Sequence, residues 1–285
     1  MRPTISARTV VAGVAGSPVA HSLSPLIHNA WLAGAGLDAV YVGFSPPVGA
    51  FTAFANGLRG GVVRGLNITA PFKEAALAVA DRASPRARQA GAANLLLFAG
   101  DGTIDADNTD GEGLLAAFRR QAPKFDPTAG PIVLLGAGGA ARGAAAAFLA
   151  AGAPGVRVVN RTLARAEALC AVLGGAARSF PVERLDEALS GARALVNATS
   201  PGTNGGGEPE APMAVLAPGA VVMDMVYRPL RTELLRRAEG LGLTTVDGLA
   251  MLIGQAEPSF EALFGRPPPP MDVRSLAIAC LEGEA

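Results

Sequence analysis

Pro131-Ile132-Val133-Leu134-Leu135-Gly136-Ala137-Gly138-Gly139-Ala140-Ala141-Arg142-Gly143 decides how this chain is read. Ile132 to Leu135 form a short apolar run suited to a strand buried on both faces. Gly136, Gly138 and Gly139 make a tight turn, and the alanine-rich segment from Ala140 continues as a strong helix former. A strand, a glycine turn and a helix N-terminus present unpaired backbone N–H groups and a partial positive charge to a pyrophosphate. Ala141 takes the third small position of the G-x-G-x-x-G/A pattern, where helix and strand pack closely. Such a turn also serves as plain βα punctuation in a chain rich in glycine and alanine. The next strand narrows the reading.

In a dinucleotide fold the end of the second strand, about 20 residues beyond the glycines, chooses the cofactor. Here that strand ends in Asn160-Arg161-Thr162, with Arg165 one helical turn on and no carboxylate before Glu167. Two guanidinium groups suit a 2′-phosphate and leave the free ribose hydroxyl of NAD without its usual acidic partner, so NADP is expected. Asn197-Ala198-Thr199-Ser200-Pro201-Gly202 comes after a later strand and would border the nicotinamide half of the cofactor. An Asx or ST turn is the alternative reading of that stretch.

Outward from this core, strands are expected over 10–14, 39–44 and 62–66, with helices over 24–35 and 73–80. Residues 94–98 and 103–106 read as a hairpin across Gly100-Asp101-Gly102. A helix over 111–120 leads through a Pro-containing connection into the glycine-turn strand. Beyond it the pattern gives strands at 156–159, 195–198 and 221–225, and helices at 163–173, 232–241, 249–264 and 273–281. Alternating strands and helices imply an α/β fold with mainly parallel sheets, and 285 residues suffice for two domains. Residues 204–212 read as a mobile surface loop, and Arg266-Pro267-Pro268-Pro269-Pro270 as a rigid connector.

Composition excludes several function classes. Half of the residues are apolar and 24 basic side chains balance 24 acidic ones. There is no field for nucleic acid and no polybasic segment for an anionic membrane. No apolar run approaches a membrane span, and the brief one after Arg8 reads as a strand rather than a signal sequence. Cys170 and Cys280 lie in helical patterns without metal-ligand spacing and read as reduced core residues, implying a cytoplasmic setting. Only Lys73 and Lys124 among the basic residues are lysines. A lysine in this chain therefore asks whether its site needs a compact, titratable ammonium.

Gly16-Ser17-Pro18 leads to His21-Ser22-Leu23-Ser24-Pro25-Leu26-Ile27-His28-Asn29. Ser24 before Pro25 reads as an N-cap, which leaves Ser22 unexplained; paired hydroxyls at a helix start suit a carboxylate. His21 and His28 have no cysteine or carboxylate cluster to complete a ligand set, so no metal is expected. No G-x-S-x-G elbow marks a hydrolase. Lys73 comes after Asn67-Ile68-Thr69-Ala70-Pro71-Phe72, and Asp110 closes Asp107-Asn108-Thr109 before the next helix. If the two meet, an ammonium paired to a carboxylate can hydrogen-bond an alcohol oxygen being oxidised and exchange its proton. The alternative is a surface lysine and a helix-capping aspartate.

Together these stretches resemble the shikimate dehydrogenase family. G-S-P-x-x-H-S-x-S-P-x-x-H-N, N-x-T-x-P-F-K, N-T-D-G-x-G, G-A-G-G-A-x-R, N-R-T-x-x-R, N-A-T-S-P-G and D-G-L-x-M-L-x-x-Q-A occur in that order, nearly end to end. The resemblance implies reduction of 3-dehydroshikimate to shikimate with NADPH, in the pathway to aromatic amino acids. It implies Ser22, Ser24, Thr69 and Tyr227 on the substrate carboxylate. Lys73, Asn94, Asp110 and Gln255 would bind the ring hydroxyls, with Lys73 and Asp110 as the catalytic pair. NADP would be bound by Gly136, Ala137, Gly138, Gly139, Ala140, Asn160, Arg161, Thr162, Arg165, Thr199, Met225 and Gly248. It further implies a discontinuous substrate domain, 1–109 with 249–285, a Rossmann-type NADP domain over 110–248, and an active site in the cleft between them. The partner is a small molecule, and the chain is a monomer or a homodimer. Two positions depart from the family: Ala93-Asn94-Leu95 stands where Val-Asn-Thr is usual, and Ala70 where valine is commoner. Both flank expected contacts and bear on selectivity. A quinate/shikimate dehydrogenase, an enzyme for an amino-substituted analogue, and a non-catalytic NADP-binding protein are the rival readings.

Overall fold

The computed structural model describes residues 5–61, 63–199 and 211–283. They divide into two units, Met1–Thr109 with Gln255–Ala285, and Asp110–Gly254. The first unit runs β1 (Val10–Ala15), α1 (Ser24–Gly34), β2 (Ala39–Phe44), α2 (Phe51–Gly57), β3 (Val63–Ile68), α3 (Lys73–Val79), β4 (Arg82–Ala83), α4 (Pro85–Ala90), β5 (Leu95–Phe98) and β6 (Ile104–Asp107). The second runs α5 (Asp110–Gln121), β7 (Ile132–Leu135), α6 (Gly139–Ala150), β8 (Val156–Val159), α7 (Leu163–Leu173), β9 (Ala177–Phe180), α8 (Leu185–Leu189), β10 (Ala194–Asn197), β11 (Val221–Asp224), α9 (Glu233–Gly240) and β12 (Thr244–Val246). Helix α10 (Gly248–Phe264) passes from the second unit to the first between Gly254 and Gln255, and α11 (Val273–Glu282) ends the chain's described part.

In the second unit six strands lie in the order β12-β11-β10-β7-β8-β9, every pair parallel. The apolar run that announced β7 is central for a physical reason. Ile132 and Leu134 enter one buried cluster with Leu114, Ala141, Ala144 and Phe148, while Val133 and Leu135 enter another with Leu185, Leu189, Leu234 and Leu235. Helices on both faces remove the need for polar alternation. Sequence order reverses at β7, with β8 on one side and β10 on the other, which is the place where ligands bind in open parallel sheets.

The first unit's sheet has the order β2-β1-β3-β5-β6-β4. Strands β2, β1 and β3 are mutually parallel, β5 is antiparallel to both neighbours, and β4 is parallel to β6. The hairpin expected over 94–106 supplies β5 and β6. Here too the order reverses at the glycine-ended strand: β2 lies on one side of β1 and β3 on the other.

Several elements were not legible beforehand. α2, β4, α4, β9, α8 and β12 are two to seven residues long, too short for periodicity to register. The start of the expected strand at Val62 lies outside the described residues, as do Ser200, Pro201, Gly202 and residues 204–210 of the loop expected over 204–212. One assignment is corrected. Leu23 already has helical backbone (φ −82°, ψ −8°) and Ser24 is the first residue of α1, so Ser24 is not an N-cap. A cap needs extended backbone to turn its oxygen onto the helix start. The hydroxyl of Ser22 accepts the Ser24 N–H instead, at 3.2 Å.

Candidate active site

In the first unit the carboxyl ends of β1 and β3 are locked together. The Thr69 N–H donates to the Ala15 carbonyl (2.9 Å) and the Ser17 N–H to that of Ala70 (3.1 Å). A Cβ on Gly16 would lie 2.3 Å from Cγ2 of Thr69, so only glycine lets the two loops approach this closely. The loop after β1 delivers Ser22 and Ser24, and the loop after β3 delivers Thr69 and Lys73, the first residue of α3. These four expected residues thus share one end of one sheet. Lys73 is half-buried, and its carbonyl accepts the Ala93 N–H, next to Asn94.

Asn94 and Gln255 also come together. The Nδ2 of Asn94 donates to Oε1 of Gln255 (3.3 Å), and both side chains are buried. Asn94 is further held by Thr109, whose backbone N–H donates to Oδ1 at 2.7 Å. Asp107 anchors the segment leading to Asp110. Its carbonyl accepts the Asn94 N–H, and its carboxylate accepts from Arg86 Nε (2.6 Å) and the Ser84 hydroxyl. Burial pushes the Asp107 carboxyl up, but these hydrogen bonds outweigh it and hold the group below the ordinary carboxylate value. Asp110 opens α5 in the second unit and is buried, an acidic side chain in the first turn where the helix dipole favours it.

His21 and His28 are not part of a cluster. Among the described residues no group of three or more His, Cys, Asp or Glu side chains is arranged to hold a metal ion. His28 is fully buried, stacked at 4.1 Å on Tyr41 and edge-on to Trp31, and neither ring nitrogen has a hydrogen-bond partner. Burial lowers its pKa to about 3, so the ring is neutral. Asn29 has a structural role. It bonds the backbone N–H and carbonyl of Tyr41, at 3.0 and 2.8 Å, and so fastens α1 to β2.

In the second unit Gly136 has φ +105°, and a Cβ there would lie 3.1 Å from the Ala198 carbonyl oxygen and 3.3 Å from Cγ2 of Thr199. Gly138 caps α6 with no side-chain hydrogen bond, and a Cβ on it would meet nothing within 4 Å. The helix start is therefore open, its N–H groups presented to whatever approaches. At the end of β8, Asn160 Nδ2 bonds the Thr162 carbonyl (2.8 Å), shaping the turn that carries Arg161 and Arg165. Both arginines are exposed and form no ion pair with another described residue. A glycine cradle and two unengaged guanidinium groups fit a phosphorylated dinucleotide. Gly248 is packed against the Met225 carbonyl, where a Cβ would come within 2.3 Å.

Sequence reasoning missed the polar groups behind these loops. Buried Asp224 accepts hydrogen bonds from Asn197 Nδ2 (3.0 Å), the Val226 N–H (3.0 Å) and the Thr232 hydroxyl (2.8 Å). Asn197 Oδ1 in turn accepts the N–H and hydroxyl of Thr199. The Asx-turn reading of that stretch thus holds for Asn197 and Thr199, while leaving Thr199 at the sheet's carboxyl edge. An acidic residue ending an apolar strand was the available signal. No helix among the described residues is long and apolar enough to cross a membrane.

Comparison with known proteins agrees with this construction. The model of the shikimate dehydrogenase substrate binding domain matches residues 14–96, and that of shikimate / quinate 5-dehydrogenase matches 121–205. A shikimate dehydrogenase (NADP(+)) of Caulobacter vibrioides is 57% identical over 282 residues, covering 99% of each chain. The structure of shikimate 5-dehydrogenase from Thermus thermophilus in complex with NADP(H) and shikimate is 37% identical, with a TM-score of 0.81 over 97% of this chain and 100% of that one. Quinate dehydrogenase from Corynebacterium glutamicum in complex with NAD is 28% identical, with a TM-score of 0.82 over 96% and 99% of the two chains. With its open glycine cradle, its paired arginines and relatives matched end to end, this chain belongs to the shikimate dehydrogenase family of NADP-dependent oxidoreductases.

Proposed function

We propose that this chain interconverts 3-dehydroshikimate and shikimate, with Lys73 and Asp110 as its catalytic pair. The observation that carries the reading is the pair of order reversals. Ser22, Ser24, Thr69 and Lys73 lie beyond the strands at one, while Gly136, Gly138 and Thr199 lie beyond the strands at the other. Gly136 to Ala140 would hold the pyrophosphate, Asn160, Arg161, Thr162 and Arg165 the 2′-phosphate end, and Thr199, Met225 and Gly248 the nicotinamide end. When bound, the cofactor supplies the hydride. The ammonium of Lys73 donates a proton to the oxygen of the carbonyl as it becomes an alcohol, and the Asp110 carboxylate orients that ammonium. Ser22, Ser24, Thr69 and Tyr227 bind the substrate carboxylate through neutral donors, and Asn94 and Gln255 bind the ring hydroxyls. Holding the reactants in register is the rest of the chain's contribution.

The substrate domain of this reading is 1–109 with 249–285, and the NADP domain is 110–248. Two free, partly buried cysteines support a reducing, cytoplasmic setting. The similarity to a quinate dehydrogenase gives the rival substrate. An assay of NADP or NAD reduction with shikimate and with quinate decides. Shikimate with NADP is expected to give the highest kcat/KM of the four combinations. A preference for quinate, or for NAD, would overturn the corresponding part of the assignment.

A further inference from the structure

Behind Asn94 and Gln255 lies a buried chain of polar side chains whose hydrogen bonds have directions that can be deduced. The backbone N–H of Thr109 must donate, so the atom of Asn94 facing it is Oδ1. Nδ2 of Asn94 therefore donates, to Thr109 Oγ1 (2.9 Å) and Gln255 Oε1 (3.3 Å). The backbone carbonyl of Asn94 must accept, so the nearby Asn67 atom is Nδ2, and Oδ1 of Asn67 takes the Tyr41 hydroxyl at 2.8 Å. Ser259 stands at the junction. Its hydroxyl donates to the Gln255 carbonyl (2.9 Å), and its oxygen accepts from Asn67 Nδ2 (2.9 Å) and from the Thr109 hydroxyl (3.0 Å).

Ser259 is fully buried, one turn beyond Gln255 on the same face of α10. It ties that helix to β3 and to the segment ending at Asp110. We infer that Ser259 is a positioning residue: by taking the Thr109 hydroxyl proton it leaves Thr109 Oγ1 as an acceptor for Asn94 Nδ2, and so holds Asn94 in the place where Gln255 keeps Oε1 toward it and turns Nε2 toward the ring hydroxyls. This rests on the assignment of Asn94 and Gln255 to the substrate. Ser259→Ala removes one acceptor shared by two buried donors, so the Thr109 hydroxyl can turn its proton onto Asn94 Oδ1, 3.2 Å away, and the Asn94–Gln255 pair loses part of its support.

Steady-state kinetics of Ser259→Ala, Gln255→Ala and the double variant test the inference, with shikimate and NADP each varied. Ser259→Ala is expected to raise KM for shikimate about tenfold, with kcat within about threefold and KM for NADP unchanged. In the Gln255→Ala background the same change is expected to alter KM less than about twofold, because its effect passes through Gln255. Thr109→Val keeps shape and backbone N–H while removing the second hydroxyl. It is expected to reproduce the shift and carries the test if Ser259→Ala does not fold. If Gln255→Ala leaves KM for shikimate unchanged, the substrate assignment falls. If it raises KM but Ser259→Ala and Thr109→Val do not, or their effects multiply with it, this inference alone falls.

Discussion

Gly16 ends β1 beside β3, and Gly136 ends β7 beside β10. In both sheets the neighbouring strand runs out in Asn-x-Thr, as Asn67-Ile68-Thr69 and as Asn197-Ala198-Thr199. The registers differ by one residue. Asn67 lies opposite Val14, two residues before its glycine, whereas Asn197 lies opposite Leu135, the residue directly before its glycine. A one-residue slip turns a side chain to the other face of a sheet. Asn67 accordingly reaches Tyr41 and Ser259 in the interior, while Asn197 folds onto its own Thr199 and onto Asp224.

In the proposed function the two ends take different ligands. At Gly136 the main chain would be the binding surface of that reading, since a pyrophosphate must approach N–H groups closely and the second and third small positions, Gly138 and Ala141, keep the way clear. At Gly16 no second glycine comes next. The loops after β1 and β3 carry Ser22, Ser24, Thr69 and Lys73 instead, residue types that suit a small acid whose groups are each met by a side chain.

The contrast is broken most forcefully at Lys73. Lys73→Arg keeps a positive charge but cannot give up its proton near neutral pH, so kcat with shikimate is expected to fall roughly 10²- to 10⁴-fold. NADP affinity, measured by titration, is expected to stay the same. Turnover within a few fold of the parent would remove Lys73 from the chemistry.

A second effect belongs to the first unit alone. His28 has its pKa lowered from 6.5 to about 3 by burial, so the folded chain stays neutral there while the unfolded chain binds a proton. Stability is therefore present above pH 6.5 and is lost as pH falls from 6.5 toward 3, at up to about 1.4 kcal/mol per pH unit. Carboxylates held below their ordinary values, Asp107 among them, add to this loss only at lower pH. Urea midpoints of the parent are expected to fall between pH 6.5 and 4.5, and those of His28→Phe to fall much less. Equal slopes would refute the role of His28.

The smallest effect separates the two glycines. Gly16→Ala drives a Cβ into Thr69 Cγ2 and is expected to cost about 1–3 kcal/mol, most of it recovered by adding Thr69→Ser, which deletes that methyl. Gly136→Ala is expected to cost about as much or more, without rescue by Thr199→Ser. There the obstacles are a φ of +105° and the Ala198 carbonyl. Denaturant midpoints of the two single and two double variants measure this, and equal rescue would erase the distinction.

The parallel core was legible because its central strand is buried on both faces: Ile132-Val133-Leu134-Leu135 has the bounds its apolar run suggested, and Val156 to Val159, valines interrupted by Arg157, has the expected bounds too. The loops proposed to carry the chemistry stood out because the chain uses lysine, asparagine and paired hydroxyls sparingly. Two things were hidden. The cap at α1 depends on the backbone angles of Leu23, which composition does not encode, so Leu23 and not Ser24 stands at the cap, and Ser22 takes the Ser24 N–H. Ser259 sits in a helix beside Pro258 with nothing local to mark it, because its partners lie 150 and 192 residues away in the chain.

The central claim is that the two glycine ends serve two ligands separately. Calorimetric titration of Ser22→Ala/Ser24→Ala and of Arg161→Gln/Arg165→Gln, each with shikimate and with NADP, tests it most directly. Each double variant is expected to weaken its own ligand by roughly tenfold or more, through lost hydrogen bonds to charged groups, and the other by less than about twofold. A double variant that weakens both ligands equally, or only the opposite one, would contradict the division.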